Sequence, residues 1–198
     1  MFSGIIEAVG NITEIEDRSG DKRISVHAGK LDLSDLRVGH SIAVNGVCLS
    51  VVELDHNGFV ADVSGETLSC TTFNDIAVGT KVNLEKSLRL SDRLNGHLVS
   101  GHVDGVGAIR ERAADARSEK FVIETPKELL KYICKKGSVC IDGVSLTVNE
   151  TDATSFTVNI IPHTLQETTF TDFRTGTKVN IEVDIIARYL ESLCNSLS

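Results

Sequence analysis

Short apolar stretches with a two-residue alternation recur along the chain, separated by turn residues. "SIAV" and "VCLSV" flank Asn45-Gly46, and "SVCI" and "VSLTV" flank Asp142-Gly143. An Asn-Gly or Asp-Gly pair between such runs is a strong hairpin signal, because the tight turn needs residues that tolerate positive φ. Asn57-Gly58 marks another turn. "RISVH" (23–27), "FVADV" (59–63), "KVNLE" (81–85), "KFVIE" (120–124), "SFTVNII" (155–161) and "KVNIE" (178–182) read as half-buried strands. "KELLKYI" (127–133), after Pro126, predicts a short helix. The last segment changes period. Ile185, Tyr189, Leu193 and Leu197 fall on one helical face, with Ile186, Leu190 and Cys194 beside it. Such a stripe must be covered, by the rest of the chain or by another copy.

The same phrases occur twice, 97 residues apart. "SGIIEAVGNI" (3–12) falls on "SGHVDGVGAI" (100–109), and "SIAVNGVCLSVVELD" (41–55) on "SVCIDGVSLTVNETD" (138–152). Between 41 and 85, 20 of 45 positions are identical to their counterparts without a gap, far beyond chance. The alignment slips by one residue near Gly39 and Gly137, which are 98 apart. The chain is therefore a duplication: residues 1–97, residues 98–184 and a helical tail, 185–198. About six short strands per copy predict two small closed antiparallel β-barrels related by a pseudo-two-fold axis, a mainly β fold with one C-terminal helix. Two copies are too few for a solenoid.

Composition narrows the partners. The 198 residues carry a net charge of −8, and no basic cluster exceeds Lys135-Lys136, so nucleic acid is not an expected partner. No apolar run is long enough to span a bilayer, and the start lacks the basic flank of a signal peptide. Five Cys without CxxC spacing suggest neither a disulfide framework nor a zinc site, which points to the cytoplasm.

Positions where the copies differ chemically are candidates for function: Cys48 against Ser145, Glu66 against His163, Ile5 against His102. Cys48 reads either as a small buried hydrophobe or as a polar contact. Ser145 and Thr147 share one strand face, either solvent-exposed or lining a site. His97 and His102, in "GHLVSGH", read as structural hydrogen-bonded groups or as catalytic ones; no pattern completes a metal site. Asp184, opening the tail helix, suits a cap.

The start "MFSGII", the hairpins "NGVCL" and "DGVSLTV", the segment "GHLVSGHVDG" (96–105) and the repeat itself resemble the riboflavin synthase family, alpha-chain type, over essentially the whole chain. The resemblance implies two lumazine-binding barrels and a C-terminal helix that drives a homotrimer. It implies a transferase that needs no metal or redox cofactor. Two molecules of 6,7-dimethyl-8-ribityllumazine exchange a four-carbon unit, giving riboflavin and 5-amino-6-ribitylamino-2,4-pyrimidinedione. The site joins the first barrel of one subunit to the second barrel of the next. Association with lumazine synthase is left open.

Carried over position by position, the substrate contacts in the first barrel are Gly4, Ile5, Ile6, Cys48, Leu49, Ser50, Asp62, Val63, Ser64, Gly65, Glu66 and Thr67. In the second they are Gly101, His102, Val103, Lys136, Ser145, Leu146, Thr147, Asn159, Ile160, Ile161, Pro162, His163 and Thr164. Cys48, His97, His102, Ser145 and Asp184 are the catalytic candidates, and Phe2 matches the family's N-terminal Phe. Ser3 and Ser50 stand where the family usually has Thr, and Asn95 where Gly is common. The competing reading is a lumazine- or flavin-binding fluorescent protein of the same fold, without chemistry. A flavin-dependent reductase would need a nicotinamide-binding domain, and no GxGxxG follows a strand.

Overall fold

Every strand of the computed structural model, which describes residues 1–195, is antiparallel to its neighbours. The first half contains β1 (Ala8–Arg18), β2 (Asp21–His27), β3 (Ser41–Val44), β4 (Val47–Leu54), β5 (Gly58–Val63) and β6 (Lys81–Lys86). They close in the order β1-β2-β5-β4-β3-β6. The second half repeats them as β7 (Gly105–Asp115), β8 (Ser118–Glu124), β9 (Ser138–Ile141), β10 (Val144–Thr151), β11 (Ser155–Ile160) and β12 (Lys178–Val183), again closed. Closure leaves no free sheet edge. Bulges between Ile12 and Glu14 and between Val51 and Glu53 bend the long strands, and both recur 97 residues on.

Alternation sends one face of each strand inward. Ile12, Ile24, Phe59, Val82 and Leu84 fill the first barrel, and Ile109, Phe121, Phe156, Val179 and Ile181 the second. A helical turn seals each barrel: α1 (Gly65–Cys70) with the 3-10 turn Thr72–Asp75, and later α3 (Pro162–Glu167) with Thr169–Asp172. Phe73 and Phe170 plug the barrels from these turns. The helix expected over 127–133 is shorter. α2 (Lys127–Leu130) gives way to tight i to i+3 bonds, Tyr132 N–H to Leu129 and Ile133 N–H to Leu130.

The slip expected near Gly39 and Gly137 is absent from the backbone. Gly39 (φ +88°) and Lys136 (φ +68°) are the equivalent residues, and their N–H groups donate to Val51 and Val148 at 2.8 Å each. Identity draws Gly39 to Gly137, but the chain needs its left-handed residue in register. The second copy places a lysine there, at a cost of about 1–2 kcal/mol.

The last helix, α4 (Ile185–Asn195), leaves its barrel's surface open on one side. Arg188 pairs with the buried carboxylate of Asp104, and Glu191 pairs with Lys131 and Tyr132. Those contacts turn Ile186, Tyr189, Leu190 and Leu193 to solvent. The stripe is therefore not covered by its own barrel. Leu197, assigned to the same face, lies outside the described residues.

The barrels meet back to back at the two hairpin turns. Asn45-Gly46 and Asp142-Gly143 all have positive φ. A Cβ added to Gly46 would lie 2.7 Å from the Gly143 nitrogen, so only glycine permits this approach. Asn45 and Asp142 occupy equivalent, buried positions. Each accepts through Oδ1 a backbone N–H of the last strand, from Asn83 or Asn180, at 2.7 Å. The amide is neutral, whereas burial pushes the Asp142 carboxyl up to about 7. Burial also raises Glu85 and Glu182.

The folded chain thus keeps protons that the unfolded chain has released between about pH 4 and pH 7, so stability falls as pH rises through that window. Asp142→Asn, copying the first barrel, should raise stability at pH 8 by on the order of 2–4 kcal/mol. It should also flatten the decline between pH 5 and pH 8, read by urea unfolding. A variant with the wild-type pH slope would contradict this reading.

Candidate functional site

Each half begins with a short strap, and the two straps pair with one another. The Phe2 N–H donates to Val99 (2.7 Å) and the Val99 N–H to Phe2 (3.1 Å). Each strap is anchored to its own barrel by a buried glutamate at the end of the last strand. Glu85 accepts from the N–H groups of Ser3 (2.6 Å) and Gly4 (3.0 Å) and from the Ser3 hydroxyl (2.7 Å). Glu182 does the same for Ser100 and Gly101, at 2.6, 2.9 and 2.6 Å. Sequence reading missed both glutamates. Their signal was a carboxylate kept in both copies at the end of an apolar strand.

Beyond these anchors the straps cross. The Ser145 N–H donates to the Gly4 carbonyl at 2.8 Å, and the Cys48 N–H to the Gly101 carbonyl at 2.9 Å. Ile6 packs on the core of the second barrel, and Val103 on that of the first. Gly4 and Ile6 therefore meet the second barrel, and Gly101 and Val103 the first, while Ile5 and His102 face grooves of their own halves. Each strap thus touches the opposite barrel as well as the barrel of its own half, to which the sequence assigned it. Positive φ at Gly4 (+77°) and Gly101 (+82°) makes the crossing possible. A Cβ on Gly101 would meet the Cys48 Cβ at 2.5 Å, and one on Gly4 the Ser145 Cβ at 2.6 Å.

The two constellations differ where the repeat differs. In the second barrel the Ser145 hydroxyl lies 2.7 Å from His97 Nδ1. The His97 ring is buried, its Nε2 has no hydrogen-bond partner among the described residues, and the His97 backbone N–H donates to the Ser3 carbonyl at 3.1 Å. Burial lowers the pKa of His97, and the charge of Asp184 opposes that shift. In the first barrel Cys48 is instead half-buried against Phe2, Ala43, Val99 and Cys140. His102 is exposed and lines a groove of about 340 Å³ against Arg188, Tyr189 and Ser192 of α4. Ile5 lines the equivalent groove of the first half. Asp184 caps α4, accepting the Ile186 N–H at 3.0 Å. Among the described residues no cluster of three or more His, Cys, Asp or Glu could hold a metal.

Residues 3–87 and residues 100–184 each match the family described as Lumazine binding domain. The chain is 52% identical to riboflavin synthase of Photobacterium phosphoreum over 98% of its own length and 88% of that protein. It is 40% identical to riboflavin synthase of Bacillus subtilis over 96% and 88%. The chain belongs to the riboflavin synthase family. Its fold also matches solved structures of LumP. The complex with 6,7-dimethyl-8-(1'-D-ribityl) lumazine gives a TM-score of 0.84 at 26% identity over 92% of this chain and 99% of that one. The riboflavin complex gives 0.85 at 28% over the same shares.

Within this family frame the remaining candidates sort by face. The side chains of Leu49, Val63 and Ile160 lie in the barrel cores, so only their backbone is available to a ligand. Asp62 points outward and is held by Arg23 at 2.7 and 3.1 Å, which lowers its pKa. Asn159, its counterpart, bonds Asp115 and Asn149 at 2.7 Å each. Ser50, Ser64, Glu66, Lys136, Thr147, Ile161, Pro162 and His163 are exposed, while Gly65, Thr67, Leu146 and Thr164 are half-buried. The Ser64 hydroxyl accepts the Thr67 N–H and caps α1; Pro162 opens α3 instead.

The His97–Ser145 pair yields a direct expectation. The C2 proton of His97, followed by NMR, should titrate with a midpoint below the ordinary 6.5 of histidine. Ser145→Ala should leave a second buried ring nitrogen unpartnered and cost about 1–3 kcal/mol of stability. A midpoint at or above the ordinary value would remove the buried pair from the site.

Proposed function

We propose that this protein is a transferase that binds two molecules of 6,7-dimethyl-8-ribityllumazine and moves a four-carbon unit between them. The products are riboflavin and 5-amino-6-ribitylamino-2,4-pyrimidinedione. The observation that carries the reading is the crossed strap–hairpin unit, complete in both barrels. Donor and acceptor are the same compound, so a duplicated barrel supplies two similar half-sites for two identical molecules. Backbone amides and hydroxyls from Ser50, Thr67, Thr147 and Thr164 suit a pteridine dione and a ribityl chain. Holding two rings face to face gains by proximity and orientation, for which aligned reactants reach about 7–11 kcal/mol.

The differences between half-sites assign unequal roles. One lumazine loses a proton from its 7-methyl group; the other takes a nucleophile at C7. His97, kept neutral by burial and next to the Ser145 hydroxyl, is suited to accept a proton. Cys48 gives the first barrel a different set, and His102 faces the groove beside α4. We place the working site between the first barrel of one subunit and the second barrel of the next, in a cytoplasmic homotrimer. Two features support this. The half-sites are open in one chain, and the apolar stripe of α4 is uncovered. A single-chain cavity of about 270 Å³, along Thr13, His27, Glu53 and Phe59, contains none of the candidate residues.

Purified protein mixed with 6,7-dimethyl-8-ribityllumazine should form riboflavin, one molecule per two lumazines consumed, followed by absorbance. Tight binding without riboflavin would instead indicate a binding protein like LumP. Deleting residues 186–198 should give monomers with at least about ten-fold less activity, since proximity of two half-sites is lost. Sedimentation with an activity assay decides; a fully active monomer would refute the shared site.

A further inference from the structure

Two asparagines sit where the barrel walls meet. In "KVNLE" and "KVNIE" the residues flanking Asn83 and Asn180 point into the cores, so the asparagines point outward. That outward face is the barrel–barrel contact, and both side chains are 1% exposed. A buried amide is costly unless its donor and its acceptor are both used. Here both are used, and both reach into the opposite barrel.

Asn180, on the last strand of the second barrel, donates through Nδ2 to the Asn45 carbonyl of the first (2.9 Å). Its Oδ1 accepts the Thr72 N–H, again in the first barrel (2.8 Å). Asn83 mirrors it. It donates to the Asp142 carbonyl (2.9 Å) and accepts the Thr169 N–H (2.8 Å). Asn45 opens the hairpin that carries Cys48. Thr72 follows Thr71, whose hydroxyl donates to the Thr67 carbonyl at 2.6 Å. The Thr168 hydroxyl holds the Thr164 carbonyl in the same way at 2.6 Å. One amide therefore ties together the hairpin and the helical turn that bracket the half-site of the other barrel.

We infer that Asn180 and Asn83 are crossed positioning residues: each sets the geometry of the ligand half-site on the barrel to which it does not belong. This rests on the half-site reading proposed above. The side-chain chemistry is specific. Leucine would fill the space but orphan a carbonyl and an N–H, aspartate cannot donate, and glutamine is one carbon too long for both bonds. The straps make the same crossing, so each half-site is built on one barrel and trued by the other.

The test is a riboflavin titration of the full chain followed by amide NMR. Cys48 and Thr67 report the first half-site, and Ser145 and Thr164 the second. Asn180→Ala should weaken binding read at Cys48 and Thr67 by about ten-fold or more, with Ser145 and Thr164 within about two-fold of wild type. Asn83→Ala should do the reverse. Equal loss at both half-sites, loss on the variant's own barrel, or no loss would overturn the inference.

Should the variants not fold, the wild-type chain decides. The side-chain amide signals of Asn180 should shift in step with Cys48 and Thr67, and those of Asn83 with Ser145 and Thr164. Signals that follow their own barrel, or do not move, overturn it. Reporter amides that riboflavin leaves unmoved in wild type would overturn the half-site reading, and the inference with it.

Discussion

Two hydrogen bonds, from the Ser145 N–H to Gly4 and from the Cys48 N–H to Gly101, join the halves where function is expected. They form because each strap is fixed at its root by a buried carboxylate and passes over to the other barrel at a left-handed glycine. Everything at the site depends on that crossing. It sets Ile6 against the core of the second barrel and Val103 against that of the first. It also buries Phe2 between the barrels. A carboxylate that spends its charge on two N–H groups and a hydroxyl makes a stiff anchor, because charge-assisted bonds are stronger than neutral ones. Two such anchors, related by the duplication, leave the straps little freedom to part.

The duplication serves chemistry because it is imperfect. Where the copies agree, they build the same device twice: the glycine turn, the glutamate anchor, the asparagine between the walls and the threonine that steadies the helical turn. Where they differ, the half-sites diverge. Cys48 lies among apolar groups, whereas Ser145 shares a hydrogen bond with the buried His97. Asn45 and Asp142 show the same principle without a ligand, since one repeat keeps a neutral amide where the other buries a titratable group.

Much of this was legible in the sequence. Asn45-Gly46 and Asp142-Gly143 declare hairpins because few other pairs accept two positive φ angles, and the period of two declares the strands. Six strands of even spacing, written twice, then leave closed barrels as the solution that hides every edge. The strap crossing was not legible. Gly4 and Ser145 are far apart in sequence, and no local preference says which barrel a strap will reach. The equivalence of Lys136 to Gly39 escaped for a related reason, since residue identity aligns glycine with glycine while the backbone aligns left-handed residue with left-handed residue. The helix over 127–133 stopped early because its last turn tightens into i to i+3 bonds, which periodicity does not detect. Leu49, Val63 and Ile160 fell in the right segments, but their side chains belong to the cores.

The claim on which the rest stands is that each half-site is assembled across the pseudo-two-fold axis. A crystal structure of the protein with riboflavin bound tests it most directly. One riboflavin should touch Gly4–Ile6 together with Ser145–Thr147, and another Gly101–Val103 together with Cys48–Ser50. A riboflavin bound by Gly4–Ile6 and Cys48–Ser50 of one chain, with the second barrel uninvolved, would contradict it.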